Sequence, residues 1–324
     1  MAEALARTAR FQGCFRALPR SPTLAYTSVM TAIRTDSRDT ALAWNGLSLT
    51  VPGTWHPARL GLRHLYLEDD QGPVFEWKWR PGAGRGGMEA ALRALTPKHR
   101  ARAGEALPDN WLAALNDYEL MPLSWAQEGR SGLGAALFDP ATGTAAVFQA
   151  YGGPDGPDRA LCDRIAEVLA SLRLDRPGSP AFQVYGLTFT PPPDFFLAAF
   201  EFLPGRFSLS FAASRRRLDI VRLAPADVLL GRENLAAVAG RAFGFEAGAR
   251  PEPGQVAGHA AVWLASRQRA KGWDVVLRAL GRPGRLAVLR HEPSVNKLIG
   301  AALTANRPVD RAWLADVAAG CVSV

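Results

Sequence analysis

Residues 44–55 read WNGLSLTVPGTW, and residues 184–195 read VYGLTFTPPPDF. Gly46 matches Gly186, Leu47 matches Leu187, Ser48 matches Thr188, Leu49 matches Phe189, Thr50 matches Thr190 and Pro52 matches Pro192. Leu47, Leu49 and Val51 alternate with Ser48 and Thr50, the period-two pattern of a half-buried strand. A constant interval of roughly 140 residues, close to the usual size of a domain, separates the matched positions. The chain of 324 residues therefore reads as two copies of one plan.

Outward from the first stretch, Leu60–Leu67 and the alternation of Phe75, Trp77 and Trp79 with Glu76 and Lys78 give further strands. Residues 88–95 read as a helix, residues 123–127 and 135–138 as strands, and DPATG at 139–143 as a hairpin turn. A strand over 145–151 and a helix over 158–172 close the first copy, with Leu161, Ile165, Val168, Leu169 and Leu172 on one face. In the second copy strands are expected over 187–190, 198–202, 207–211, 218–223, 259–266, 273–279 and 285–290. Helices are expected over 226–243 and after Pro293, where Ser294 is placed to cap. The turn GRPG at 281–284 stands for DPATG. Hairpin connections and interspersed helices predict an α+β fold of two tandem modules, each a mostly antiparallel sheet covered by helices. The divisions are a loose tail at 1–40, a first module at 41–174, a Pro- and Gly-rich linker at 175–182 and a second module at 183–324.

TVPGTW at 50–55, followed by a closing hairpin and a long helix ending in AEVLASLRL at 166–174, resembles PsbP-like and DcrB-like domains over about residues 42–174. The second copy departs from the pattern, with PPP at 191–193 and Phe195 in place of VPGT and Trp. The resemblance implies an antiparallel sheet with covering helices and an accessory, partner-binding role. It carries over no catalytic residue.

Hydrophobic residues make up 48% of the chain and charged residues 21%, as expected of a packed globular protein. No apolar run is long enough to predict a membrane span. Cys14, Cys162 and Cys321 are far apart and odd in number, so neither a disulfide framework nor a zinc site is expected, and a cytoplasmic location fits. The net charge is +8, most of it arginine in a composition typical of a GC-rich bacterial genome. Charge alone is weak support for nucleic-acid binding.

Gly82, Gly84 and Gly87 meet the spacing G-x-G-x-x-G. A dinucleotide turn, however, follows a strand buried on both faces, and FEWKW alternates apolar with charged. The second copy has LAPAD there without a glycine cluster, so the stretch is read as a strand-to-helix joint and no cofactor is expected. G-x-S-x-G fails at Leu133, no H-x-x-x-H occurs, and EDDQG at 68–72 reads as a solvated hairpin tip; no catalytic or metal-ligating set is assigned. Candidate contacts for an anion or an acidic partner are Arg85, Arg215, Arg216, Arg217, Arg267, Arg269 and Lys271. The first functional expectation is a non-catalytic two-module protein that binds a partner or small anionic ligand at an intermodule groove or a sheet face. The second is a small-molecule enzyme or sensor with its site between the modules, marked by His259 or His291 near an acid. The third is a nucleic-acid accessory protein.

Overall fold

The computed structural model describes residues 39–84, 88, 102–103, 107–127, 129–175, 180–245, 249–266 and 284–323. Several expected features lie outside the described residues. They are the tail up to residue 38, most of the helix over 88–95, linker residues 176–179, the strand over 273–279 and the GRPG turn before Gly284.

In chain order the first half contains β1 (Thr40–Trp44), β2 (Leu47–Val51), β3 (His56–Gly61), β4 (His64–Asp69), β5 (Gly72–Arg80) and β6 (Arg102–Ala103). It continues with α1 (Asp109–Ala114), β7 (Glu119–Gln127), β8 (Arg130–Asp139), β9 (Thr144–Gly152), α2 (Arg159–Ala170) and β10 (Arg173–Leu174). The second half contains β11 (Phe182–Val184), β12 (Leu187–Phe189), β13 (Phe196–Leu203), β14 (Arg206–Ala213), β15 (Arg216–Leu223), α3 (Ala226–Leu230) and α4 (Leu235–Phe243). After these come β16 (Pro251–Val256), β17 (His259–Ala265), β18 (Gly284–Glu292), β19 (Lys297–Ala305), α5 (Arg311–Ala319) and β20 (Val322–Ser323).

Three antiparallel sheets result. One has the order β3-β4-β5-β9-β8-β7-β6, another β13-β14-β15-β19-β18-β17-β16, so adding ten to each label of the first order gives the second. The third, β10-β2-β1-β11-β12-β20, takes three strands from each half and is joined where Ala43 pairs with Gln183. The opening stretches are its two hairpins. Asn45 and Gly46 turn with φ of 45° and 96°, and Tyr185 and Gly186 with φ of 50° and 69°. Positive φ at both turn residues matches the right-handed twist of the flanking strands, which is why glycine recurs there. The edge strands agree as well: β3 slips register between Pro57 and Arg59, and β13 between Leu197 and Ala199.

The α+β expectation is corrected by this architecture, which is mostly β, with few and short helices among the described residues. The decisive misreading is at residues 295–303. Their apolar spacing suggests a helix capped by Ser294, yet Pro293–Val295 is a single 3-10 turn and β19 follows. Ile299, Ala301 and Leu303 of β19 face the main core, while Leu298 and Ala302 face a second cluster that includes Val238 and Phe243 of α4. A strand buried on both faces loses its alternation and cannot be told from a helix by period. The turn that stands in register with DPATG is therefore the one between β18 and β19, not GRPG. The helix expected over 226–243 is two helices, and the closing helix α5 begins at Arg311, capped by Asp310.

One core runs through both halves. Trp44 of β1 lies against Phe182 of β11 and Phe200 of β13, with ring centroids 5.4 and 5.0 Å away and near-perpendicular planes. Phe75, Trp77 and Trp79, which share one face of β5, are buried. Fully burying side chains of this size stabilises by roughly 1.5–3 kcal/mol each.

Candidate functional site

The two seven-stranded sheets agree in register as well as in strand order. Just past the bulge in β3, Arg59 pairs with Tyr66, which pairs with Glu76 of β5, which pairs with Gln149 of β9. Just past the bulge in β13, Ala199 pairs with Ser210, which pairs with Asp219 of β15, which pairs with Ala302 of β19. Glu76 and Asp219 thus occupy the same place. Their strand neighbours Phe75 and Trp77, and Leu218 and Ile220, enter the core, so alternation turns both acids to the opposite face. Each acid is nevertheless buried, at 7% and 8% exposure.

In the first half the carboxylate is surrounded by donors. Glu76 Oε1 meets His64 Nε2 at 2.7 Å and Lys78 Nζ at 2.8 Å. Its Oε2 accepts from the Tyr151 hydroxyl at 2.5 Å and from Gln149 Nε2. Burial opposes the charge, but the bonds from His64, Lys78 and Tyr151 outweigh it and hold the carboxyl well below the usual carboxylate range. Burial and the same carboxylate push the Tyr151 phenol up. The Trp125 ring, over Gly132, and the Tyr66 ring pack edge-on against Tyr151. Both carboxylate oxygens are engaged, while Gln149 Oε1 is buried without a hydrogen-bond donor.

The second half is open. Asp219 Oδ1 accepts from Ser210 Oγ at 2.7 Å and from Arg217 Nε at 2.8 Å, and Oδ2 lies 3.7 Å from Arg285 Nη2. Gly132 of the first half is replaced in register by Arg285, and Trp125 by Ser266, so a guanidinium occupies the sheet face where the first half packs a ring. A cleft of about 420 Å³ results, with Arg206, Arg217, Arg241 and Arg285 facing Asp219 and Glu201. Arg206 Nη2 donates to the Ala242 carbonyl at 3.3 Å, at the C-terminal end of α4 where a cation is favoured. The Nε groups of Arg206 and Arg285 are buried and have no hydrogen-bond acceptor. Burial pushes the Arg285 pKa down, the direction expected of a cation short of counter-charge.

Of the three expected contacts that are among the described residues, Arg215, Arg216 and Arg217, only Arg217 joins this cleft. Strand alternation sends Arg216 to the other face, where Nη2 meets Asp194 at 3.3 Å and the guanidinium lies 4.9 Å over Phe195. Arg215 occupies the β14–β15 turn with φ of 57°. Arg85, Arg267, Arg269 and Lys271 lie outside the described residues. The sequence reading missed Arg206, Arg241, Arg285 and Asp219. One clue was present: an acid interrupts the apolar alternation of the third large strand in both halves, as FEW and as LDI.

Four clefts on the described residues are each lined from one half, and none combines polar groups across the halves. Neither His259 nor His291 hydrogen-bonds an acid among the described residues. No group of three or more His, Cys, Asp and Glu among the described residues could hold a metal, and no described helix is long and apolar enough to cross a membrane. Comparison with protein-family models and with curated proteins finds no match to this chain.

Proposed function

We propose that the chain is a binding protein made of two related halves, and that its ligand site is the arginine cleft beside Asp219, which takes an anionic group. The observation that carries this reading is the charge of that cleft. Arg206, Arg217, Arg241 and Arg285 stand against Asp219, Glu201 and Glu233, the last paired with Arg241, and the buried Nε donors of Arg206 and Arg285 lack a hydrogen-bond acceptor. Each unmet buried donor costs on the order of 1–3 kcal/mol, which a bound oxyanion would recover. The repeated strand order supports descent of both halves from one module, in keeping with the PsbP-like and DcrB-like plan and its accessory role. The free thiols Cys162 and Cys321 support a reducing, cytoplasmic setting.

Calorimetric titration of the full chain with inorganic phosphate tests the site. Binding is expected, weakening as NaCl is raised. Arg206→Gln and Arg285→Gln should each weaken it about tenfold, or ~1.4 kcal/mol. Phosphate heats no larger than dilution, or heats that survive both substitutions, would sink the reading.

A further inference from the structure

The hairpin tips that the two halves place in equivalent positions carry opposite charge. The β4–β5 tip carries Glu68 and Asp69 at the end of β4 and Asp70 in the turn; the β14–β15 tip carries Arg215 in the turn and Arg216 at the start of β15. Beside each tip, β9 or β19 runs out into the loop that leads to the long helix. That loop carries Asp155 and Asp158 in the first half, and Arg307 and Asp310 in the second. Tip and loop enclose a cleft in both halves, about 770 Å³ in the first and about 690 Å³ in the second. The first is lined by Asp69, Asp155 and Asp158 against Arg130. The second is lined by Arg215, Arg216 and Arg307 against Asp310, with Trp313 beside them.

Some of these charges are engaged within the chain. Asp69 accepts from the Gln71 and Gly72 amides, Asp158 caps α2, and Arg216 pairs with Asp194. Arg215, Arg307, Asp70 and Asp155 are exposed and have no ion-pair or hydrogen-bond partner among the described residues. Each half therefore presents uncompensated charge of one sign at the same structural position.

We propose that the Arg215–Arg307 cleft is a docking site for a second copy of this chain, entered by that copy's acidic tip and loop at Asp70 and Asp155. Complementary charge names the occupant: the matching surface, built from the same kind of tip and loop, is carried by every copy. The two patches differ, so the contact is heterologous and leaves one basic and one acidic patch free on each pair; association then grows with concentration. Exposed charges contribute little singly and are screened, so the contact is weak and salt-sensitive. This inference is independent of the anion cleft beside Asp219, which lies on the other face of the same sheet.

Sedimentation velocity on the full chain tests it. At low salt and high protein concentration the weight-average mass should rise above that of one chain, and about 300 mM NaCl should return it to the single-chain value, a few Debye lengths being enough. Two charge-reversed variants, R215E/R307E and D70R/D155R, should each sediment as single chains at low salt. Mixed in equal amounts they should associate again, because each then meets its complement. All four positions are exposed, so unchanged thermal unfolding of both variants is expected and confirms that they are folded. The proposal is overturned if either variant alone still associates, or if the mixture stays single. It is also overturned if the wild-type chain stays single yet binds a labelled oligonucleotide through Arg215 and Arg307.

Discussion

Glu76 and Asp219 sit at corresponding positions of two sheets with the same strand order, yet their surroundings differ. Around Glu76 every donor is a side chain of the same half, and the carboxylate is fully used. Around Asp219 the tyrosine and glutamine positions have become Thr304 and Ala302, and Arg285 enters where a glycine had made room for a ring. The comparison separates what the fold requires from what a site adds. An acid at this position is compatible with the sheet when donors surround it. The surplus of guanidiniums around Asp219 and Glu201 is what the anion proposal rests on.

The largest effect that would break this comparison is at Glu76. Glu76→Gln removes the carboxylate that His64, Lys78 and Tyr151 all bond and should destabilise the protein by about 3 kcal/mol at pH 7, measured by urea unfolding. The sign with pH follows from the lowered carboxyl. Its stabilisation is full above the ordinary glutamate value of about 4.3 and is lost as the pH falls below it towards the folded-state value, so the gap between variant and wild type should narrow in acid. A gap that stays constant down to pH 3 would mean that the network is not what holds this face.

A smaller loss is expected from Gly134→Ala. A Cβ there would lie 2.0 Å from the Phe148 carbonyl oxygen, whereas the register-equivalent residue of the second half is already Ala287. Overpacking of this kind costs about 1–3 kcal/mol. The second half keeps its own crowded glycine one strand over, at Gly300, where Phe243 of α4 packs. Thermal unfolding of Gly134→Ala that matches wild type would show that the two sheets are more alike than their glycines suggest.

The smallest change in stability, about 1 kcal/mol, is expected from Asp219→Asn, since Ser210 and the exposed Arg217 are its close partners. Its effect on binding should run the other way. Removing a negative charge from the cleft should raise phosphate affinity several-fold, read by the same titration. Lower affinity would make Asp219 part of the ligand contact rather than a counter-charge to it.

The sequence showed β2 and β5 plainly, because a half-exposed strand must alternate, but not β1 and β11, which turn the opening stretches into hairpins. It hid β19, whose residues are apolar on both faces, and it hid β10 and β20, since two residues carry no period. The arginine cleft was illegible for a different reason. Arg206, Arg241 and Arg285 are isolated in sequence and converge only through the order β13-β14-β15-β19-β18 and the placement of α4, while the conspicuous run at 215–217 is divided by strand alternation between two faces. Clustering along the chain pointed to Arg217, which lines the cleft, and away from Arg206, Arg241 and Arg285.

The middle sheet has a consequence for how the molecule comes apart. With three strands from each half and Trp44 lodged among Phe182 and Phe200, neither half can release its hairpin without exposing apolar surface of the other. Local openings are therefore expected in loops and outer strands, and loss of the centre is expected to unfold both halves together.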